Sequence, residues 1–382
     1  MAKKQWTVMV YMAADNSGNE DSLADLTTEA ASDLDEMMSV GSNDDLDVIV
    51  QIDWKPGTQI DGKPKIAERC RIRKGGTETL QVATGPVNSG SPTELSAFLE
   101  FARTTPRADN YMLILWGHAV RFAFGFDHND SLTVPEMAAA LRSSAQAGSS
   151  AQADKPDLLD VLGFDACGTS TIETAYQLRK SAHFVVASEI GVPLPGWPYT
   201  RILRAIEDDP SISAEDLGRE VVSRYVASYP RDDVSLTMLD LRSPDNLVPQ
   251  MKELATSLAI AVGQDRDQRD TILSLFRDAR VPTGEPLVDL GQLCVNLRQN
   301  GIGKRVESAA SDMLARLAKG AGVVVEHQGD GGDTAGLCGV SAYAPHVGRP
   351  EDSWLAIYDQ LALSKETIWP KLVKFLAYAD SY

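Results

Sequence analysis

Continuous apolar runs alternate with helically spaced ones over the first two thirds of the chain. "WTVMVYMAAD" (6–15), "DDLDVIVQID" (44–53), "NYMLILWGHAV" (110–120), "LLDVLGFDAC" (158–167), "HFVVASE" (183–189) and "VSLTMLDL" (234–241) read as strands buried on both faces. Between them, "DSLADLTTEAASDLDEMM", "SPTELSAFLEFARTT", "SLTVPEMAAALRSS" and "TIETAYQLRKS" carry apolar residues at helical spacing. Thr133 and Glu136 have the spacing of a capping box. "CRIR" and "TLQVA" predict two short strands around Lys74-Gly75-Gly76. Strand–helix alternation with buried strands predicts an α/β fold, a mostly parallel sheet flanked by helices on both faces.

After residue 242 the pattern changes. Three helical segments lie between 243 and 320, and "AGVVVEHQ" and "LCGVSAYAP" predict a strand pair about the Gly-rich turn "GDGGDTAG". "KETIWPKLVKFLAYA" predicts a closing helix. The expected organisation is a core over 1–242 and a helix-rich C-terminal region over 243–382 packed on it. "AQAGSSAQADKP" is small, polar and Gly/Ser-rich, so 143–156 reads as a flexible linker inside the core.

Apolar residues make up 43% of the 382, enough for a substantial interior, and the net charge is -18. Such a surface repels phosphate backbones, so nucleic acid is not an expected partner. No segment is apolar over the roughly 20 residues that span a bilayer, and no membrane partner is expected. "MAKKQWTVMVYMAAD" lacks a signal-peptide pattern, from which a cytoplasmic location is expected, with secretion by another route left open. The four cysteines are widely spaced and form no metal motif.

One cysteine stands apart. Cys167 follows an apolar run and precedes a helical pattern, and His118 ends the preceding long strand, 49 residues earlier. One crossover's worth of chain separates them, which makes the two strands neighbours and their tips one cleft edge. Cys167 either fills a gap in the core or is a nucleophile with His118 as its acid/base. In the second reading, the helix after Cys167 lowers the thiol pKa, and the backbone N–H groups of Cys167 and Ala119 hold an oxyanion. Cys70, Cys294 and Cys338 read as core. "GDGGDTAG" lacks the lysine and following helix of a phosphate loop, which argues against a nucleotide-binding α/β protein.

In order along nearly the whole chain, "YMAADN", "LILWGH", "FDAC" with "ETAYQLRK", "ASE", "GWPY" and "GVSAYAP" resemble the clostripain family of cysteine peptidases, in the caspase-like clan. The resemblance implies a caspase-like fold and an endopeptidase with His118 and Cys167 as the dyad. It implies protein or peptide substrates cut after arginine, and in some members lysine. Asp165, two residues before the nucleophile, matches the acidic position expected at the base of the specificity pocket; the competing reading is a helix cap. Ser188 and Glu189 are expected to line that pocket, or Glu189 is a surface charge. Family members are often activated by cleavage in the linker, and Arg142 and Lys155 flank it here. No cofactor is expected to be required. Some members need calcium, and Asp127, His128 and Asp130 are the side chains that could hold it; a plain polar turn is the competing reading. Two departures stand out: Ala119 occupies a position usually taken by glycine, and "IGVPLPGWPY" has no acidic residue after Glu189. Ala119 also leaves room for a catalytically inactive scaffold or peptide-binding relative.

Overall fold

The computed structural model describes residues 3–19, 22–104, 107–148, 158–242, 247–334, 336–344 and 352–379. Its centre is a nine-stranded sheet. In chain order the strands are β1 (Lys4–Ala13), β2 (Leu46–Asp53), β3 (Glu68–Arg73), β4 (Gly76–Val82), β5 (Ala108–Trp116), β6 (Leu159–Asp165), β7 (Ala182–Ala187), β8 (Val234–Asp240) and β9 (Val324–Asp330). Their spatial order is β9-β8-β7-β6-β5-β1-β2-β3-β4. Five of the six long apolar runs form the parallel centre, β7-β6-β5-β1-β2; the sixth, β8, is antiparallel to β7, and antiparallel pairs extend the sheet on both sides.

Strand periodicity divides the interior between the two sheet faces. Met9, Tyr11, Leu113 and Leu115 pack on one side with the helices Pro92–Thr104, Val134–Gly148 and Val248–Gln264. Val8, Val10, Met112 and Ile114 pack on the other with Thr27–Val40, Tyr199–Asp208 and Ala214–Val226. Thr133 and Glu136 close the predicted capping box, Thr133 N–H donating to Glu136 Oε2 at 3.0 Å.

The C-terminal part departs from the expected pattern. The predicted strand pair does not exist as a pair. β9 joins the main sheet antiparallel to β8, and Ser341–Tyr343 pairs instead with Leu287–Asp289. Residues beyond 242 therefore supply an edge strand to the core sheet, and their side chains share one apolar cluster with it. The linker reading also fails at its start. The helix Val134–Gly148 carries Arg142 and continues through residues 143–148; alanine-rich sequence is good helix former as well as loop. Lys155 and the rest of the linker lie outside the described residues.

Candidate active site

Trp116 at the end of β5 and Asp165 at the end of β6 are register partners. The chains turn together beyond them, with Gly117 N–H donating to Asp165 C=O at 3.2 Å. Gly117 has φ +145°, and a Cβ there would stand 3.1 Å from Ala13 C=O, so the turn needs glycine. His118 and Cys167 each follow two residues after the paired strand ends and line one small cleft. Leu26, Asp165, Val192, Pro193, Leu194 and Gly196 complete its walls.

Each of the two side chains is engaged elsewhere in that cleft. His118 Nε2 lies 2.8 Å from Ala24 C=O. Cys167 Sγ accepts from Val192 N–H at 3.3 Å and its S–H points to Val192 C=O at 3.8 Å. The thiol is half-buried, so it is not a packing residue sealed in the core. Burial pushes its pKa up, the Val192 N–H offsets this in part, and Asp165 and Glu285 add to the rise. The expected lowering by a helix terminus is absent. Gly168, in the left-handed region at φ +61°, turns the chain away, and the helix starts only at Ile172, capped by Thr171.

Asp165, in the lining of the same cleft, is buried. Its Oδ2 accepts from Trp197 N–H at 3.0 Å and Tyr199 O–H at 2.9 Å. Oδ1 takes neither bond, and Asp165 is part of the cleft wall. Burial raises its pKa to about 7, opposed by those two donors. It does not cap the following helix. Behind it, Asp33 accepts from the Trp116 indole N–H at 2.6 Å, and burial together with the Asp165 charge raises its pKa to about 9.

Other expected residues are placed differently. Ser188 is fully buried and closes a turn with Ile190, accepting from Ile190 N–H at 3.1 Å. Glu189 is fully buried too, neither a pocket residue nor a surface charge. Its partners lie 100 or more residues away: Asp289, Gly339 and Ser341. Ala119 begins a short strand (Ala119–Val120) paired with Ala123–Asp127, while Cys167 N–H has no acceptor among the described residues. Of the calcium candidates, Asp127 and His128 are joined by Asp15 rather than Asp130. Asp130 Oδ2 accepts from Asn88 at 2.9 Å. His128 Nδ1 contacts Asp127 Oδ1 at 2.5 Å, Ser89 N–H donates to Asp127 Oδ2 at 3.0 Å, and Ser17 N–H to Asp15 Oδ1 at 2.9 Å. Asp53 borders Asp127 and accepts from Ser89 O–H at 3.0 Å, so three carboxylates and one imidazole gather there.

The cleft at Cys167 measures about 70 Å³, well below the roughly 300–1,000 Å³ of ordinary ligand pockets. Larger hollows of about 490 and 340 Å³ lie near Trp54 and Arg69 and contain neither Cys167 nor His118.

A family model described as the clostripain family matches residues 10–375. Clostripain of Hathewaya histolytica is 27% identical over 304 residues, which are 66% of this chain and 56% of that protein. The chain thus matches little more than half the length of that relative. Among solved structures, a secreted C11 cysteine protease from Bacteroides thetaiotaomicron, described in complex with an irreversible peptide inhibitor, has a TM-score of 0.65. It is 18% identical, with 97% of this chain and 99% of that one covered. An inactive zymogen C11 protease from Parabacteroides distasonis has a TM-score of 0.68 at 16% identity, with 96% and 99% covered. These likenesses establish the fold. The first neighbour is described as secreted, which lends no support to the cytoplasmic expectation. Among the described residues no helix is long and apolar enough to cross a membrane.

Proposed function

The chain belongs to the clostripain family, and from that premise we propose that it is a cysteine endopeptidase cutting proteins or peptides after arginine or lysine. The observation that carries this reading is the placement of Cys167, His118 and Asp165 around one cleft.

In the proposed reaction, His118 swings from Ala24 C=O to the thiol and takes its proton. The thiolate attacks the substrate carbonyl, and the unbonded Cys167 N–H faces the resulting oxyanion, with Ala119 N–H as the second donor. His118 then protonates the leaving amine, and water hydrolyses the thioester. Asp165 Oδ1 pairs with the guanidinium or ammonium of the residue on the acyl side. No step requires a metal or other cofactor.

The cleft is too small for an arginine side chain as it stands, so Val192–Gly196 must move before substrate binds. That closure supports activation by cleavage. Arg142 lies within a helix, which does not offer a protease an extended backbone. Lys155 remains, and self-cleavage after it is the proposed trigger.

The test is turnover of an arginyl fluorogenic peptide by wild type and Cys167→Ala. Turnover lost in the variant supports the peptidase. No turnover in either, even after limited proteolysis, supports an inactive scaffold.

A further inference from the structure

Glu189 and Asp289 are both fully buried, and they accept from the backbone N–H groups of the successive residues Gly339 and Cys338, which sets the two carboxyl groups side by side. Two buried carboxyl groups so placed retain at least one proton between them, since burial and then the Asp289 charge raise the Glu189 pKa. Their oxygens are all in use. Glu189 Oε1 accepts from Gly339 N–H at 2.8 Å, and Oε2 from Ser341 O–H at 2.9 Å. Asp289 Oδ1 accepts from Gln292 N–H at 2.5 Å, and Oδ2 from Cys338 N–H at 2.6 Å.

The pair sits where three segments meet. Glu189 is the second residue of the segment Ser188–Trp197, which runs beside the turn after Cys167. Ser170 N–H donates to Ser188 C=O at 2.9 Å, Gly168 N–H to Ile190 C=O at 2.9 Å, and Val192 N–H to Cys167 Sγ. From the other side, Ser341 N–H donates to Ser170 C=O at 2.9 Å, and Ser170 O–H to Gly339 C=O at 2.6 Å. The segment that walls the cleft is therefore fastened, at its root, by the two carboxyl groups.

We propose that Glu189 and Asp289 are positioning residues that share a proton, holding Ser188–Trp197 against Cys167, and that loss of this proton releases the cleft wall. The function of that wall rests on the reading of Cys167 as the nucleophile. The charged and titratable surroundings favour such a device. The Cys338 and Cys294 thiols face Asp289, and burial keeps both protonated. His327, behind Gly339, bonds Thr237 at 2.9 Å, and burial lowers it to about 4, so it is neutral near pH 7. No lysine or arginine bonds either carboxyl group among the described residues. Deprotonation would place two negative charges side by side with no cation to receive them.

The test is the rate of Cys167 alkylation by iodoacetamide against pH, the modified residue being identified by peptide mass spectrometry. A thiol in a fixed site gains at most about tenfold per pH unit from its own ionisation. In wild type the rise exceeds this, because wall release adds a second proton. Glu189→Gln, which keeps the side-chain length and a permanent donor to Asp289, restores the single-ionisation slope. Should Glu189→Gln fail to fold, Ser341→Ala serves: it removes a donor to the ionised form and moves the steep region to higher pH. Equal profiles for wild type and Glu189→Gln, or an unmoved one for Ser341→Ala, overturn the proposal. The readout needs no turnover. A steep profile in a protein that cleaves no basic peptide defeats the peptidase reading and leaves the clamp standing.

Discussion

Trp116 and Asp165 are partners across neighbouring parallel strands, and this one pairing carries His118 and Cys167 to the same edge. The two side chains are far apart in the chain, yet each stands two residues beyond a strand end in matched register. No hydrogen bond joins them among the described residues, so the register supplies proximity, and the proposed reaction requires a side-chain rotation to bring them into contact.

Replacing Cys167 by alanine is expected to abolish turnover of arginyl and lysyl peptides. His118→Ala is expected to lower kcat by roughly a hundredfold to ten-thousandfold, the usual contribution of a positioned acid/base. Both variants keep the melting temperature of wild type to within a few degrees, since His118 and Cys167 are only half-buried. A His118→Ala enzyme as active as wild type would place the acid/base elsewhere. Steady-state kinetics on the processed enzyme, with calorimetry on the same samples, provides both readouts.

With Asp165 as the proposed partner of the basic substrate residue, specificity is expected to depend on pH in a definite direction. Burial holds its pKa at about 7. Only the ionised form attracts a cation, so kcat/KM for arginyl peptides rises with pH through about 7. Asp165→Asn flattens this limb and lowers kcat/KM by roughly tenfold to a hundredfold, the worth of a charge-assisted hydrogen bond. The stability consequence has the opposite sign. A carboxyl whose folded-state pKa is raised contributes stability that is full below its unfolded value and is lost as pH rises through about 7. Denaturation of Asp165→Asn should therefore vary less between pH 5 and pH 8 than that of wild type.

The cleft was legible because its two tips announce themselves locally. A buried strand must end where Gly117 and His118 follow the run "YMLILW", and again at Asp165-Ala166-Cys167. What could not be read were partners fixed by the tertiary fold. Glu189 stands directly after a strand whose tip faces the cleft, and nothing nearby in the chain shows that Asp289, Gly339 and Ser341 close over it. The pairing of Ser341–Tyr343 with Leu287–Asp289 depends on which edge the chain returns to, and antiparallel partners leave no local mark in sequence. Residues 143–148 failed for a different reason. Ala, Ser and Gln suit both a linker and the last turns of a helix already begun at Val134.

Chelation is expected to leave activity unchanged. Asp15, Asp127 and His128 come together, but Ser17, Ser89 and the imidazole already engage the two carboxylates. Rates measured in EGTA and in added calcium should agree. A strong loss in EGTA restored by calcium would mean that these internal bonds yield to the ion.

In the proposed reading of Asp165, Gly196 joins stability to specificity at one atom. It lies in the left-handed region at φ +62°, where a side chain is strained, and it turns the chain so that Trp197 N–H and Tyr199 O–H reach Asp165. A Cβ built on it would stand 2.8 Å from Asp165 Oδ2, closer than such contacts allow. Gly196→Ala is therefore expected to cost about 1–3 kcal/mol of stability through overpacking. The displaced carboxylate also loses its aim at the cleft, so KM for arginyl peptides rises while kcat for the substrate that does bind changes less. Gly191→Ala is the control, because a Cβ there meets nothing within 4 Å. Equal KM values for the two variants would show that the Gly196 turn does not govern where Asp165 points.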